Sequence, residues 1–181
     1  KKPTADVGGM RPVAGVVVNP SLGSAVKTAD GISLPTGIGT GEALDTGTES
    51  ISQVAAEVTV PFDVLNDKIS VSSVISHGPN SVVGSKAALS ITVECLETSA
   101  IIASTTVIPS KTNRANIELV SEQDLNGAGT QGNSIKVRVT RMPTKPLDDS
   151  KSSVIIHDLQ VNFNRSALPT NSLANQFSQF S

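Results

Sequence analysis

This chain of 181 residues has no tryptophan, no tyrosine, four phenylalanines and a single cysteine, Cys95. Aromatic rings line most ligand pockets and form the stacking platforms of most single-stranded nucleic-acid sites, so their scarcity argues against both kinds of site. One cysteine excludes an intramolecular disulfide and a cysteine-built zinc site. Stability must therefore come from core packing or from partner subunits.

Charge is also scarce. Fourteen Lys and Arg oppose sixteen Asp and Glu, for a net charge of -2, and charged residues make up only 17% of the chain. Because the chain has no excess of basic residues to attract phosphate groups, we expect no nucleic-acid partner. The longest apolar run near the N-terminus, Val13 to Val18, is interrupted by Gly15 and is too short for a membrane span or a signal peptide. We therefore expect a soluble protein with no membrane partner.

Hydroxyl and β-branched side chains dominate the sequence: 24 Ser, 16 Thr, 21 Val and 13 Ile. This composition is typical of β-strands, and short β-branched runs recur about every ten residues with turn signals between them. We therefore predict an all-β, antiparallel β-sandwich over residues 51–165, jelly-roll-like because the cysteine and tryptophan framework of antibody domains is absent. The predicted strands are Val54–Val60, Lys68–Ser76, Ala88–Leu96, Ile101–Ile108, Ala115–Val120, Ser134–Arg141 and Ser153–Asn164.

Alternation within these runs predicts which side chains enter the core. Ile135, Val137 and Val139 alternate with Lys136 and Arg138, so one face should be buried and the other exposed. Cys95 is in phase with the apolar residues of its own run, which predicts a structural thiol inside the core.

Residues 1–50 contain nine of the fourteen glycines and four prolines, so regular structure is not expected there. The segment also carries scattered aliphatic residues. It could pack along its own domain, lie on a partner, or stay disordered, and we favour an extended N-terminal arm that docks on another chain. The expected anchors are Val13, Val16, Val17, Val18, Ile32, Leu34 and Ile38.

The polar tail, residues 166–181, contains isolated apolar residues that could either pack locally or anchor the chain to another subunit. Phe177 and Phe180 share one face of a short helical pattern. His157 and Phe163 are in phase on the last predicted strand and, with those two tail residues, are candidates for a subunit interface. A modest core without disulfides favours a homo-oligomer.

No constellation for catalysis, cofactor binding or metal binding stands out, so we predict a protein that is not an enzyme and holds no cofactor. His157 is expected on an apolar face as a structural histidine, and His77 in an exposed turn. A small hydrolase remains an alternative, and it requires His157, Asp158 and a Ser or Glu side chain to cluster in one pocket.

The combination of a Gly/Pro-rich arm, an aromatic-poor sandwich and a polar tail, together with the last strand SVIIHDLQVNFNR at 153–165, resembles the capsid decoration (cement) and head-fibre proteins of tailed bacteriophages. The resemblance implies a virion structural protein, assembled in the host cytoplasm, that docks on the particle and stabilises it. It also implies a homo-oligomer, most simply a trimer, with other virion proteins such as the major capsid protein as partners.

Two other functions stay open at this point. One is a phage tail-fibre or baseplate protein that binds the host surface, which the absence of Trp and Tyr disfavours. The other is a bacterial surface domain, adhesin-like, that binds a peptide or a sugar.

Overall fold

The computed structural model describes residues 8–23, 25–35, 52–78, 86–109, 113–141 and 153–166. They form eleven strands: β1 Gly9–Pro12, β2 Val18–Gly23, β3 Val26–Lys27, β4 Ile32–Leu34, β5 Ser52–Thr59, β6 Val64–His77, β7 Leu89–Cys95, β8 Ala100–Val107, β9 Ala115–Asp124, β10 Ser134–Arg141 and β11 Val154–Arg165. None of the described residues forms a helix that is long and apolar enough to cross a membrane.

Two antiparallel sheets pack face to face. One sheet has the order β3-β4-β11-β6-β9, with β1 also paired to β11, and the other has the order β2-β5-β10-β7-β8. The prediction of an all-β antiparallel sandwich of jelly-roll type is confirmed. All seven predicted strands are present, with ends that differ from the prediction by a few residues.

The core lies between the sheets and is built from the alternate residues that the sequence pattern indicated. Ile135, Val137 and Val139 are fully buried, as predicted, and so is Cys95. Lys136 and its neighbour Arg138 are half-buried rather than exposed, because they lie in the centre of a five-stranded sheet. Arg138 pairs with Glu94 of β7 across a 2.6 Å salt bridge.

The expectation that the N-terminal segment lacks regular structure is wrong for residues 8–35, whereas its docking on another chain stays a prediction. β1 and β4 pair with β11, and β2 pairs with β5, so this segment adds strands to its own chain's sheets. Short edge strands tolerate glycine and proline because only one side of each strand is hydrogen-bonded. The predicted division at residue 50 therefore does not separate two bodies within the described part of the chain.

The turn after β7 contains an acid-sensitive contact. The backbone N–H of Ser134 donates to the Glu97 carboxylate over 2.8 Å, and this hydrogen bond lowers the pKa of Glu97 below its ordinary value. A lowered pKa in the folded state stabilises the fold above the ordinary pKa, and this contribution is lost as the pH falls through the folded-state pKa.

We expect Glu97→Gln to be less stable than the native chain at about pH 7 and this difference to be smaller at about pH 3, because a falling pH increasingly protonates the native carboxylate. Urea unfolding of both proteins at the two pH values measures this. An equal stability difference at both pH values would contradict the assignment.

Candidate functional site

A polar cluster lies on the outer face of the first sheet, around His157. Its Nε2 lies 2.6 Å from Ser76 Oγ of the neighbouring β6, and its Nδ1 lies 3.0 Å from the backbone carbonyl oxygen of Asp30. A carbonyl oxygen only accepts, so Nδ1 carries the proton, and Nε2 then accepts from the Ser76 hydroxyl. The imidazole thus joins β6 and β11 to the turn between β3 and β4.

A β-bulge puts His157 on that outer face. The pairing of β11 with β6 shifts register between Ile156 and Asp158, so Val154 and Ile156 face the core before the bulge and Leu159 faces it afterwards. The extra residue reverses the alternation. The prediction that His157 shares the apolar face is therefore wrong.

Gly31 allows the β3–β4 turn to approach β11. Its φ is 156°, and a Cβ at this position would collide with the carbonyl oxygen of Ile156. The turn is closed by Thr28, whose backbone N–H and hydroxyl both donate to the Gly31 carbonyl. A larger residue than glycine would push the turn away from His157.

Beside this cluster lies an open groove of about 310 Å³. It is lined by four aliphatic residues, by the β3–β4 turn and by two polar residues of β11: Val16, Val18, Ile32, Ile156, His157 and Asp158. Its lining mixes aliphatic and polar residues. The part of the chain described here holds no group of three or more potential metal-ligating side chains.

One requirement of the hydrolase alternative is fulfilled, because His157 is hydrogen-bonded to a serine and is not surrounded by aliphatic side chains. The imidazole is oriented by a backbone carbonyl and not by Asp158, whose own carbonyl accepts from Ser73 Oγ at 2.6 Å. Acyl transfer also requires N–H donors aimed at the developing oxyanion. The contacts of the cluster that the structure shows link β6 and β11 to the β3–β4 turn.

The expected anchors are distributed over the chain's own sandwich. Ile32 and Leu34 are buried in its core, which corrects the expectation that they contact another chain. Val13, Val16 and Val18 are half-buried against the same core. Val17 differs from them because 63% of its surface is exposed. Ile38 lies outside the described residues.

The subunit-interface candidates are corrected in part. Phe163 is fully buried among the core residues of its own chain, so it cannot form a surface contact. His157 is half-buried and bonded within its own chain, as described above. His77 ends β6 and is half-buried instead of lying in an exposed turn. Phe177 and Phe180 lie outside the described residues.

A group of exposed aliphatic side chains, of which the sequence had indicated only Val17, lies on the edge strands β2 and β3 and directly before β2. Val17, Leu22 and Val26 are 63%, 53% and 56% exposed, and we call these three residues the N-terminal edge surface. β2 and β3 follow each other directly and contact each other, each at the edge of its own sheet. The pairing of β2 with β5 and of β3 with β4 decides which aliphatic residues of these two strands face outward.

No protein-family model and no curated protein sequence match this chain. Solved structures with a similar arrangement of strands include the xylan-binding module CBM15, with a TM-score of 0.46 and 14% identity over 88% of this chain and 99% of the module. A family 35 carbohydrate-binding module from Clostridium thermocellum has a TM-score of 0.38 and 12% identity, over 84% of this chain and 95% of the module.

Larger proteins with a similar sandwich include an arabinose-bound α-L-arabinofuranosidase, with a TM-score of 0.44 and 12% identity over 84% of this chain. Xylanase 10C from Cellvibrio japonicus has a TM-score of 0.46 and 14% identity, also over 84%. This chain spans only 22% and 28% of the length of those two proteins.

Proposed function

We propose that this chain is a non-catalytic structural β-sandwich that binds another subunit of a multi-subunit particle. In this proposal the particle is the virion of a tailed bacteriophage, and the chain is a capsid decoration or head-fibre protein. The observation that carries the proposal is the N-terminal edge surface, where Val17, which directly precedes β2, Leu22 of β2 and Val26 of β3 are exposed.

Exposed aliphatic residues on adjoining edge strands are typical of protein contacts. Burying one such side chain contributes about 1.5–3 kcal/mol, so covering all three contributes several kcal/mol before the entropy of association is subtracted. The segment that contains them is the one in which the sequence indicated a docking role. The docking surface is then presented by strands of the sandwich rather than by a free arm.

The test is a binding assay on purified particles. We expect the native chain to be present in particles from the producing strain and to cosediment with particles that lack it. The triple variant Val17→Ser, Leu22→Ser, Val26→Ser should bind at least about tenfold more weakly, since each lost contact contributes more than about 0.5 kcal/mol.

A matched control is Phe62→Ser, which removes an apolar side chain that is 65% exposed outside the N-terminal edge surface. It should bind like the native chain, and circular dichroism should show that every variant is folded. Absence of the chain from purified particles would reject the virion role. Undiminished binding of the triple variant would reject the surface.

A second candidate function, binding of host-surface carbohydrate, is favoured by the outer face of the second sheet. Polar side chains lie in rows across it: Gln53 Nε2 donates to Thr140 Oγ1 at 2.8 Å, and a groove of about 320 Å³ beside them is lined partly by Glu57 and Lys136. Such groups can hydrogen-bond sugar hydroxyls. Titration with host cell-wall polysaccharide, with Lys136→Met as the test variant, separates this candidate from protein docking.

A further inference from the structure

The turn that follows β9 contains the only Asn-Gly pair of the sequence, Asn126-Gly127. Asn126 has a φ of 52° and Gly127 a φ of 84°, and the N–H of Ala128 donates to the carbonyl oxygen of Leu125 at 3.0 Å. Two left-handed central residues closed by this hydrogen bond define a type I′ turn. Both central residues are exposed, so water reaches the pair.

An asparagine that precedes glycine can lose its side-chain amide in a reaction that consumes only water. The backbone nitrogen of Gly127 attacks Cγ of Asn126, and the new N–Cγ bond closes a five-membered succinimide. The side-chain nitrogen leaves as ammonia, together with the proton of the Gly127 N–H. Water then opens the ring at either of its carbonyl carbons and leaves aspartate or isoaspartate at position 126. Glycine favours the attack because no Cβ shields its nitrogen.

The type I′ turn holds the two reacting groups apart. The first central residue of such a turn has a ψ of about +30°. At that angle the backbone nitrogen of Gly127 and Cβ of Asn126 lie on nearly opposite sides of the Asn126 Cα–C bond, whereas ring closure requires them on the same side. The reaction therefore requires rotation around that bond, which opens the turn.

Asp67 of β6 holds this turn closed through three contacts. Its Oδ2 accepts the N–H of Gly127 at 2.8 Å, and its backbone carbonyl oxygen accepts the N–H of Leu125 at 2.8 Å. Its carboxylate also packs against Gly129, where a Cβ would lie 1.7 Å from Oδ1. Rotation around the Asn126 Cα–C bond turns the Gly127 N–H away from the carboxylate, so it breaks a hydrogen bond to a charged acceptor, which is stronger than one to a neutral acceptor.

The converted residue would not fit the same turn. Aspartate at position 126 would add a negative charge beside Asp67 and beside Asp124, whose Oδ1 accepts the N–H of Asn126 at 2.9 Å. Isoaspartate would lengthen the backbone by one carbon and displace the hydrogen bond that closes the turn. The turn begins the connection from β9 in the first sheet to β10 in the second, so conversion would loosen this link between the sheets.

We propose that Asn126 is a modification site that converts to aspartate and isoaspartate through a succinimide, and that Asp67 is the positioning residue that keeps it unreactive in the folded chain. No residue of the N-terminal edge surface takes part. The proposal therefore does not depend on the role proposed for that surface.

The test follows the amide of Asn126 by peptide mass spectrometry while the full chain is incubated at neutral pH, with chromatography to separate isoaspartate from aspartate. We expect the folded native chain to convert at least about tenfold more slowly than the same chain in denaturing urea. Asp67→Ala should raise the rate in the folded chain by about tenfold, the factor expected for loss of a hydrogen bond to a charged acceptor. Asp67→Asn keeps an oxygen acceptor without the charge and should give an intermediate rate.

The matched control is Asp63→Ala, which removes a carboxylate that binds Arg165 Nε at 2.8 Å instead of the turn. It should leave the rate at Asn126 at the native value, and circular dichroism should show which variants are folded. If Asp67→Ala does not fold, Asp67→Asn and the comparison of native chain with and without urea still test the proposal.

Four results would overturn it. Equal acceleration by Asp63→Ala would show that global unfolding sets the rate, and native conversion as fast as in urea would show that the turn does not protect Asn126. An unchanged rate in the folded Asp67 variants would show that Asp67 does not hold the site. A slower rate in those variants would show that the carboxylate promotes the reaction by removing the Gly127 proton.

Discussion

Phe163→Ala is expected to lower the free energy of unfolding by about 3–5 kcal/mol, the usual range for removal of a buried aromatic ring. Phe163 is fully buried on β11, the strand that pairs with β6 on one side and with β1 and β4 on the other. Loss of the ring removes apolar burial and leaves a cavity among neighbours from several strands. A domain of this size has only about 5–15 kcal/mol of stability, so the variant should unfold at a much lower urea concentration.

The control for this prediction is Phe62→Ala, because Phe62 is 65% exposed and makes few contacts that can be lost. Its stability should change by less than about 0.5 kcal/mol. The pair of variants also separates the two roles considered for Phe163. If Phe163→Ala kept native stability and only dissociated an oligomer, the residue would belong to an interface and the burial described here would be wrong.

Arg141→Met is expected to lower the free energy of unfolding by about 2–4 kcal/mol, since it removes a buried charged donor from its acceptors. Arg141 ends β10 and is 0% exposed, and its Nη1 donates to the carbonyl oxygen of Leu34 at 3.0 Å. β10 and β4 belong to different sheets, so this hydrogen bond links the two layers. Methionine fills part of the space but leaves the Leu34 carbonyl without this donor.

Arg138→Met is the matched control, on the same strand and with the same chemical change. Arg138 forms a 2.6 Å salt bridge with Glu94, but its side chain is 28% exposed and lies on the outer face. Partly solvated pairs of this kind contribute about 0–1 kcal/mol. Urea unfolding of both variants measures the difference, and equal losses would show that burial inside the sandwich is not what makes Arg141 important.

Composition and period-2 alternation were sufficient to predict the central strands. In β10 Ile135, Val137 and Val139 alternate with polar residues, so the core face follows directly from the sequence. The same holds for β7, where Cys95 falls in phase with the core. These strands lie in the middle of a sheet, where local pattern and tertiary environment agree.

The candidate site was not predictable in the same way. In β11 the residues Val154, Ile155 and Ile156 are all apolar, so the sequence does not indicate which of them faces the core. The bulge that reverses the alternation and places His157 beside Ser76 arises from the pairing with β6. The exposure of Leu22 and Val26 likewise depends on which sheets β2 and β3 join.

The sequence by itself determined the fold class, the seven long strands and the core face of β7 and β10, because alternation at a period of two is a local property of the chain. The tertiary structure alone decided that residues 8–35 complete the chain's own sheets and that Phe163 is core. Each of these features depends on pairing between residues far apart in the sequence. A short edge strand forms only because a longer strand beside it supplies its hydrogen-bond partners.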